Sequence, residues 1–510
     1  MAATPEAFPY NEYNQELIAN VRPPDWVNPE PEGRYNLVVV GAGTAGLVSA
    51  AGAAGMGAKV ALIERHLMGG DCLNVGCVPS KTLIRAGRAA SDVRAATRYG
   101  VQVPEGASVD FSEVIDRVCR IRARISPHDS AHRFRDEYGV DIFLGGGRFT
   151  GSDAVEVEGT TIRFERAVIA TGARAAVPPI PGLAEAGFLT NETVFNLTER
   201  PARLAVLGGG PIGSELAQTF ARLGSEVTII EMGEQFLPRE DPDAVAVLRA
   251  AFERDRVDVR LGTTLERVDT DGGARVLHLT TGDVSSTLKV DMILVGVGRT
   301  PNVDGLGLEA AGVTFGRQGV EVDDFLQTSN RRIFAAGDVC SPYKFTHAAD
   351  FMARAVIQNA FFGFAGRKRV SSLTIPWCTY TDPEIAHVGL YEHEAAVKGI
   401  AVTTFTVPMS DVDRAVAEGE DQGFVKIHVR SGSDRIVGAT VVARHAGEMI
   451  SELTTAMVGG TGLGKLASVI HPYPTHAEAI RKAGDLYNRT RLTEGRIKLL
   501  RRYFAWRRRK

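Results

Sequence analysis

Two cysteines five residues apart, Cys72 and Cys77, stand in the run Gly69-Gly70-Asp71-Cys72-Leu73-Asn74-Val75-Gly76-Cys77-Val78-Pro79-Ser80-Lys81, where the pattern predicts the start of a helix. A thiol reacts as its thiolate. A helix N-terminus and a lysine one turn past the second cysteine both lower a thiol pKa. The pair therefore reads as a redox disulfide, and its place directly behind a dinucleotide-binding fingerprint sets it beside a flavin.

The elements that must position the pair are legible upstream. Tyr35 to Val40 is a β-branched run leading into Gly41-Ala42-Gly43-Thr44-Ala45-Gly46, then a small-residue helix, then a strand from Lys59 to Ile63 ending in Glu64. Gly41 and Gly43 permit a tight turn and close backbone approach to pyrophosphate, Gly46 lets helix and strand pack, and Glu64 accepts a ribose hydroxyl. The unit recurs as Leu204 to Leu207, Gly208-Gly209-Gly210-Pro211-Ile212-Gly213, a helix, Val227 to Ile230 and Glu231; in both copies the acid follows the first glycine by 23 residues. Two fingerprints with matched spacing imply two dinucleotides. The first, whose loop runs into the cysteines, is expected to hold FAD, and the second, through Gly208, Gly210, Gly213 and Glu231, a nicotinamide. A carboxylate at position 231 repels a 2′-phosphate, so NADH is the expected donor, with NADPH as the alternative. Four further segments are expected near the cofactors: Gly147 after the strand Asp141 to Leu144, Thr171-Gly172 at the end of a buried strand, Gly298 closing the nicotinamide unit, and Asp338 as an acceptor for the flavin's ribityl chain.

Composition agrees. A chain of 510 residues, 44% apolar and 23% charged, suits three or four domains. Five cysteines are too few and too scattered for a secreted scaffold, which points to a reducing compartment, the cytoplasm, with Cys119, Cys340 and Cys378 as small buried thiols. Residues 1–34 lack a basic start followed by an apolar stretch, so no signal peptide is expected. Leu37 to Ala58 is 22 residues without a charge, long enough to span a membrane, but its glycines fall at fingerprint positions and the buried strand-and-helix reading is preferred. No nucleic-acid partner is expected. The tail 495–510 holds eight of the 58 basic residues and no acid, leaving 50 against 61 acidic residues elsewhere. Ile497, Leu500 and Phe504 recur at helical spacing, with Leu499, Tyr503 and Trp506 widening the apolar face. Such a helix suits peripheral contact with an anionic membrane surface; packing on its own dimer is the competing reading.

These motifs, in this order, resemble the pyridine nucleotide-disulfide oxidoreductases, the family of dihydrolipoamide dehydrogenase, glutathione reductase and mercuric reductase, over about residues 35–490. The resemblance implies an α/β fold of two Rossmann-like dinucleotide-binding domains, for FAD and NAD, plus an α+β C-terminal dimerisation domain. The expected division is an N-terminal arm (1–34), flavin domain (35–180 and 300–370), nicotinamide domain (181–299), dimerisation domain (371–490) and basic tail (491–510). It also implies a homodimer whose sites are completed by the partner's C-terminal segment. Under it Cys77 is the charge-transfer thiolate over the flavin, Cys72 the distal thiol that meets the acceptor, and Lys81 approaches the flavin N5 while pairing with Glu215.

The family's disulfide reductases place a histidine immediately before Pro-Thr, held by a glutamate five residues on. Here His471-Pro472-Tyr473-Pro474-Thr475-His476-Ala477-Glu478 puts Tyr473 at that position and keeps Glu478. A phenol with a pKa near 10 is a poor base at neutral pH. Tyrosine there resembles mercuric reductase, whose soft-metal electrophile needs no protonated leaving group. The expected acceptor is accordingly Hg(II), free or as a small thiol adduct, held transiently by Cys72 and Cys77. The chain departs from that pattern in having no cysteine after Cys378 and no N-terminal heavy-metal module. His471 or His476 as an acid-base group keeps a dihydrolipoamide dehydrogenase-like or other disulfide reductase as the alternative. A non-catalytic flavin redox sensor is the alternative of another class, and the intact Cys72, Cys77 and Lys81 speak against it.

Overall fold

The computed structural model describes residues 7–509. The chain forms two compact units, one reaching to Phe236 and resuming over Asp255–Leu373, the other made of Leu237–Arg254 and the chain from Thr374 onward.

The first unit contains a mixed sheet with a parallel core, extended by the antiparallel strands Ala154–Val157 and Gly147–Gly151, and a second sheet that is all parallel. In the first, Asp141–Leu144, Val60–Glu64, Arg34–Val40 and Thr160–Ile169 lie in that order, and Ile333–Ala335 adds beside the last. Leu37 to Val40 are all buried, as expected of a strand covered on both faces. The register Val40↔Ile169 and Ala335↔Ile169 aligns the strand ends, so the turns at Gly41, Thr171 and Gly337 open at one edge. The helix Thr44–Gly55 approaches closely because its buried positions are mostly Ala and Gly. In the second sheet Val257–Arg260, Glu226–Ile230, Arg203–Leu207 and Met292–Val295 lie in order, all parallel.

In the chain between Val257–Arg260 and Met292–Val295 comes a three-stranded antiparallel sheet, Thr263–Asp271, Ala274–Thr281 and Val284–Val290, joined by tight turns at Gly272-Gly273 and Gly282. No glycine or cysteine motif marks these strands in the sequence, and the outer one, Val284–Val290, is mostly exposed. The chain passes out of and back into the flavin unit through a two-stranded ribbon, Ala173–Ala175 against Arg299–Pro301. The N-terminal arm is docked: helix Glu12–Val21, capped by Asn11, buries Leu17 and Val21.

The second unit is built on a five-stranded antiparallel sheet in the order Pro376–Thr379, Glu384–Gly389, Ile436–Ala443, Phe424–Arg430, Val402–Pro408. Its core includes helices Ala446–Val458 and Glu478–Thr490. Residues 237–254, expected inside the nicotinamide unit, belong here instead. Trp377 Nε1 and Tyr391 Oη donate to the Glu240 carboxylate at 2.8 and 2.6 Å, and Lys426 Nζ bonds Asp241 and Asp243 at 2.6 Å each. The tail forms helix Glu494–Arg507, none of whose residues is buried. No helix among the described residues is long and apolar enough to cross a membrane, and Leu37 to Ala58 resolves into strand, turn and helix.

Candidate functional site

The two glycine-rich turns follow one plan. Gly41 (φ +104°) and Gly208 (φ +93°) adopt a left-handed conformation, and a Cβ on either would press on a backbone carbonyl of the neighbouring strand end, Ala170 O at 2.5 Å and Gly296 O at 2.8 Å. A Cβ on Gly46 or Gly213 would overlap the carbonyl oxygen of Gly41 or Gly208. The middle glycines differ: beside Gly43 the nearest protein atom is Gly70 Cα at 3.8 Å, and beside Gly210 it is Gly296 O at 3.9 Å. No protein contact requires glycine there, whereas a phosphate brought against the N-terminus of the following helix does. Both turns therefore fit a dinucleotide.

The acids complete the likeness. Glu64 accepts from the Ala42 and His66 backbone N–H groups at 2.7 Å each, and Glu231 from those of Gly209 and Gly233 at 2.8 Å each. Each carboxylate thus braces its own turn with one oxygen and retains lone pairs for a ribose. Burial pushes the Glu64 carboxyl up, and the two N–H donors oppose that shift.

Behind the first turn the chain forms a short helix, Gly70–Asn74, and then, from Gly76 as N-cap, the 19-residue helix Cys77–Ala95. Cys72 lies in the first and Cys77 at the N-terminus of the second, and both are free thiols. The Cys72 thiol hydrogen-bonds Cys77, which is the largest cause holding the Cys77 thiol down to about 6; the Thr346 hydroxyl and the Lys81 charge add to it, while desolvation and Glu215 oppose. The same bond, with burial, pushes Cys72 up. Cys77 has exposed surface, yet enough protein surrounds its sulfur for desolvation to oppose ionisation. Lys81 Nζ stands 2.8 Å from Glu215 Oε2, a carboxylate only 7% exposed, so the structure brings together residues 134 apart in sequence. A groove of about 400 Å³ opens beside Cys77 and Lys81, with Arg85, Arg117 and Ile121 on its walls.

Two members of this site carry no sequence signal. Thr346 Oγ1, in the first turn of helix Thr346–Phe361, lies 3.2 Å from Cys77 Sγ. Arg299 pairs with Asp71 beside Cys72 and reaches Asp338 at 3.4 Å. Burial pushes the Asp338 carboxyl up, and Arg299 counteracts it.

The other expected residues are placed as follows. Thr171 Oγ1 donates to Asn302 O at 2.7 Å, and the Gly172 carbonyl accepts from Asn302 N–H at 3.0 Å. Gly147 packs on Ile63 and Val40 inside the sheet, where a Cβ would meet Ile63 Cγ2 at 3.0 Å. Gly298 (φ +131°) turns into the ribbon. In the second unit, Tyr473, 70% exposed, donates to Asp413 Oδ2 at 2.8 Å, which raises its pKa. Glu478 pairs with Arg481 at 2.8 Å, and its second oxygen is buried without a hydrogen bond. His471 is engaged by Glu452 at 3.0 Å and by the Val469 carbonyl, and His476 by Glu418 at 3.3 Å, so each histidine is held by a carboxylate other than Glu478. Of the three thiols expected to be buried, Cys119 is, whereas Cys340 and Cys378 are half-buried; the protein around the Cys340 sulfur still pushes its thiol up to about 12.

Comparison with known proteins gives concordant matches. The family model "Pyridine nucleotide-disulphide oxidoreductase" matches residues 35–353, and the dimerisation-domain model of the same name matches 375–484. The chain is 36% identical over 462 residues to a mercuric reductase of Bacillus cereus, covering 90% of this chain and 72% of that protein. It is 34% identical to a dihydrolipoyl dehydrogenase of Thermus scotoductus, covering 88% and 97%. Among solved structures, the HOCl-induced flavoprotein disulfide reductase RclA from Escherichia coli superposes with a TM-score of 0.79 at 29% identity, covering 89% of this chain and 100% of that one.

Proposed function

The chain belongs to the pyridine nucleotide-disulfide oxidoreductases, FAD-dependent NAD(P)H oxidoreductases with a dimerisation domain that supports a homodimer, and from that premise we propose that its acceptor is a soft metal ion, Hg(II), free or as a thiol adduct. The observation that carries this reading is Tyr473. Its hydroxyl is held on Asp413 and is a weaker acid for it, so the position at which disulfide reductases protonate a leaving thiolate carries a phenol unsuited to that task. Thiolates bind soft metals without such a proton. The relatives named mercuric reductase support the reading, as does a Cu(II) complex of RclA.

In this reading Gly41, Gly43, Gly46 and Glu64 hold FAD, with Thr171, Gly172 and Asp338 on the same edge, and Gly208, Gly210, Gly213 and Glu231 hold NADH. Bound FAD supplies two-electron transfer from the nicotinamide to the cysteine pair. The residues of the chain do the rest. Lys81 places a cation beside Cys77, Glu215 fixes that cation, and Thr346 supplies a hydroxyl to the sulfur. Cys77 stays ionised at neutral pH, and Cys72, the more basic sulfur, gives up its proton when the metal binds. The balance is NADH + Hg(II) → NAD⁺ + H⁺ + Hg(0).

The test is NADH oxidation by the reconstituted holoenzyme with Hg(II) in excess thiol, lipoamide, oxidised glutathione and quinones. Mercury-dependent oxidation with poor lipoamide turnover is expected, and Tyr473→His should raise disulfide turnover toward the roughly 10²-fold or more that general acid catalysis contributes. Robust lipoamide or glutathione-disulfide reduction without mercury-dependent oxidation establishes the disulfide reductase instead, a reading favoured by the dihydrolipoyl dehydrogenase relative.

The reading extends to the tail. Over Ile497–Trp506 six large apolar side chains occupy about half the helix circumference, Lys498, Arg501 and Arg502 lie opposite, and Leu499 and Trp506 are 67% and 54% exposed. Their charge suits an anionic lipid surface on the cytoplasmic side of a membrane. Co-sedimentation with anionic vesicles at low salt, lost on truncation after Glu494, is expected; a weakened dimer on truncation without vesicle binding assigns the helix to a second copy.

A further inference from the structure

The segment before the first fingerprint precedes the family match, which begins at residue 35, yet it is bonded to the backbone that carries the cysteines. The Val21 carbonyl accepts from Met68 N–H at 3.3 Å, and the Arg22 guanidinium donates to the carbonyls of Arg65 and His66 at 3.1 and 2.8 Å. Deeper in, Asn14 of the N-terminal helix is 2% exposed, and its side-chain oxygen accepts from Arg122 Nη2 at 3.0 Å. Arg122 Nη1 donates to the carbonyl of Asn74 at 2.9 Å, the last residue of the short helix that carries Cys72. The Asn74 amide closes the turn on itself through the carbonyls of Met68 and Gly70, at 3.0 and 2.9 Å.

Arg122 is 3% exposed, its hydrogen-bond partners are all neutral, and its Nε is buried without one. It lies on a helix, Phe111–Ile125, whose other buried positions are Phe, Ile, Val, Cys and Ala. Burying a guanidinium opposite neutral acceptors costs several kcal/mol, so an aliphatic residue would serve packing better. What an aliphatic residue could not do is span two carbonyl-type acceptors 60 residues apart, Asn14 and Asn74, in a fixed planar fork.

We propose that residues 11–28 are a strap, with Arg122 as its buried node, which holds the short helix carrying Cys72 in place beside the helix that begins at Cys77. Asn14, Arg22 and Arg122 are positioning residues: none touches a reacting sulfur of the pair, and all act through the backbone of residues 65–74.

The test uses the full-length reduced holoenzyme and reads the pH dependence of Cys77 alkylation by iodoacetamide, followed by mass spectrometry, together with flavin content. In Asn14→Ala the acid limb moves up by at least one pH unit, toward an ordinary thiol, while flavin content is retained. Asn14→Asp keeps an acceptor for Arg122 and leaves the limb in the wild-type position. Arg122→Met moves it as Asn14→Ala does; should that variant not fold, the Asn14 pair decides alone. An unmoved limb in Asn14→Ala overturns the strap, as does an equal shift in Asn14→Asp. A lower melting temperature with the limb unmoved also counts against it, since that is the signature of packing alone.

Discussion

The turn at Gly41 and the turn at Gly208 share their backbone conformations, their carbonyl contacts and their brace of an acid on two N–H groups, yet they lead to different places. Past Glu64 the chain reaches Gly69 (φ +88°) and Gly70 (φ +56°) and delivers Cys72 and Cys77 to two helix starts within 13 residues. Past Glu231 it passes an exposed Met232 and buries Phe236 against the second turn, where a Cβ on Gly209 would meet Phe236 Cβ at 2.6 Å. The first turn is followed by reactive groups and the second by packing. The nucleotide frame is thus a repeated part, and the chemistry belongs to the segment appended to one copy.

The sharpest break in that comparison is at the pair itself. Cys77→Ser is expected to lower acceptor reduction by roughly 10³-fold or more, with FAD content unchanged and the long-wavelength charge-transfer absorbance of the reduced enzyme lost. Cys72→Ser should lower turnover similarly but keep the absorbance visible without reductant. Like spectra from the two variants would exchange or abolish the assigned roles.

The next effect separates the turns. Gly43→Val should yield a folded protein that does not retain FAD, and Gly210→Val a yellow protein whose KM for NADH is raised by roughly 10²-fold. A Cβ at either position would meet no protein atom nearer than 3.8 Å, so melting of the cofactor-free chains should barely change. Gly46→Ala and Gly213→Ala, which press on backbone, should each lower stability by about 1–3 kcal/mol. A smaller effect is expected of Lys81→Met. The cation favours the thiolate, so its loss raises the Cys77 pKa, and the acid limb of alkylation should move from about 6 to about one unit higher, costing about fivefold in rate at pH 6. Smallest is Glu231→Ala, which should shrink the preference for NADH over NADPH by about tenfold or less. A wild-type preference for NADPH would contradict the reading of Glu231.

Much of the frame was legible because each part is local. Asp141–Leu144 matches the expected strand at both ends, and Arg34–Val40 and Glu226–Ile230 each start one residue before the expected strand. Glycine spacing announced both turns, since their geometry is enforced within a few residues. The pairing of Lys81 with Glu215 came only through the resemblance, because nothing local links a helix after one turn to a helix after the other. Thr346, Arg299 and Arg122 were invisible for the same reason: an ordinary threonine or arginine becomes part of a site only when a distant strand end or turn is folded against it. The transfer of residues 237–254 to the second unit was hidden likewise, since Glu240, Asp241 and Asp243 meet Trp377, Tyr391 and Lys426 from the far end of the chain.

The ribbon of Ala173–Ala175 against Arg299–Pro301 has a consequence for how this chain can be taken apart. Ala176 N–H bonds the Gly298 carbonyl at 3.0 Å and Asn302 N–H bonds the Gly172 carbonyl at 3.0 Å, so the exit from the flavin unit and the return to it share adjoining rungs. The covalent path between them leaves and returns at that one place, although Glu215 on it pairs with Lys81 and residues 237–254 on it belong to the second unit. Strands that are already paired are joined by a two-residue hairpin at little cost in loop closure. Replacing residues 177–297 by a short turn would accordingly leave the host sheet of Arg34–Val40, Thr160–Ile169 and Ile333–Ala335 with every one of its strands, while the second unit would lose Leu237–Arg254 and the partners of Trp377, Tyr391 and Lys426.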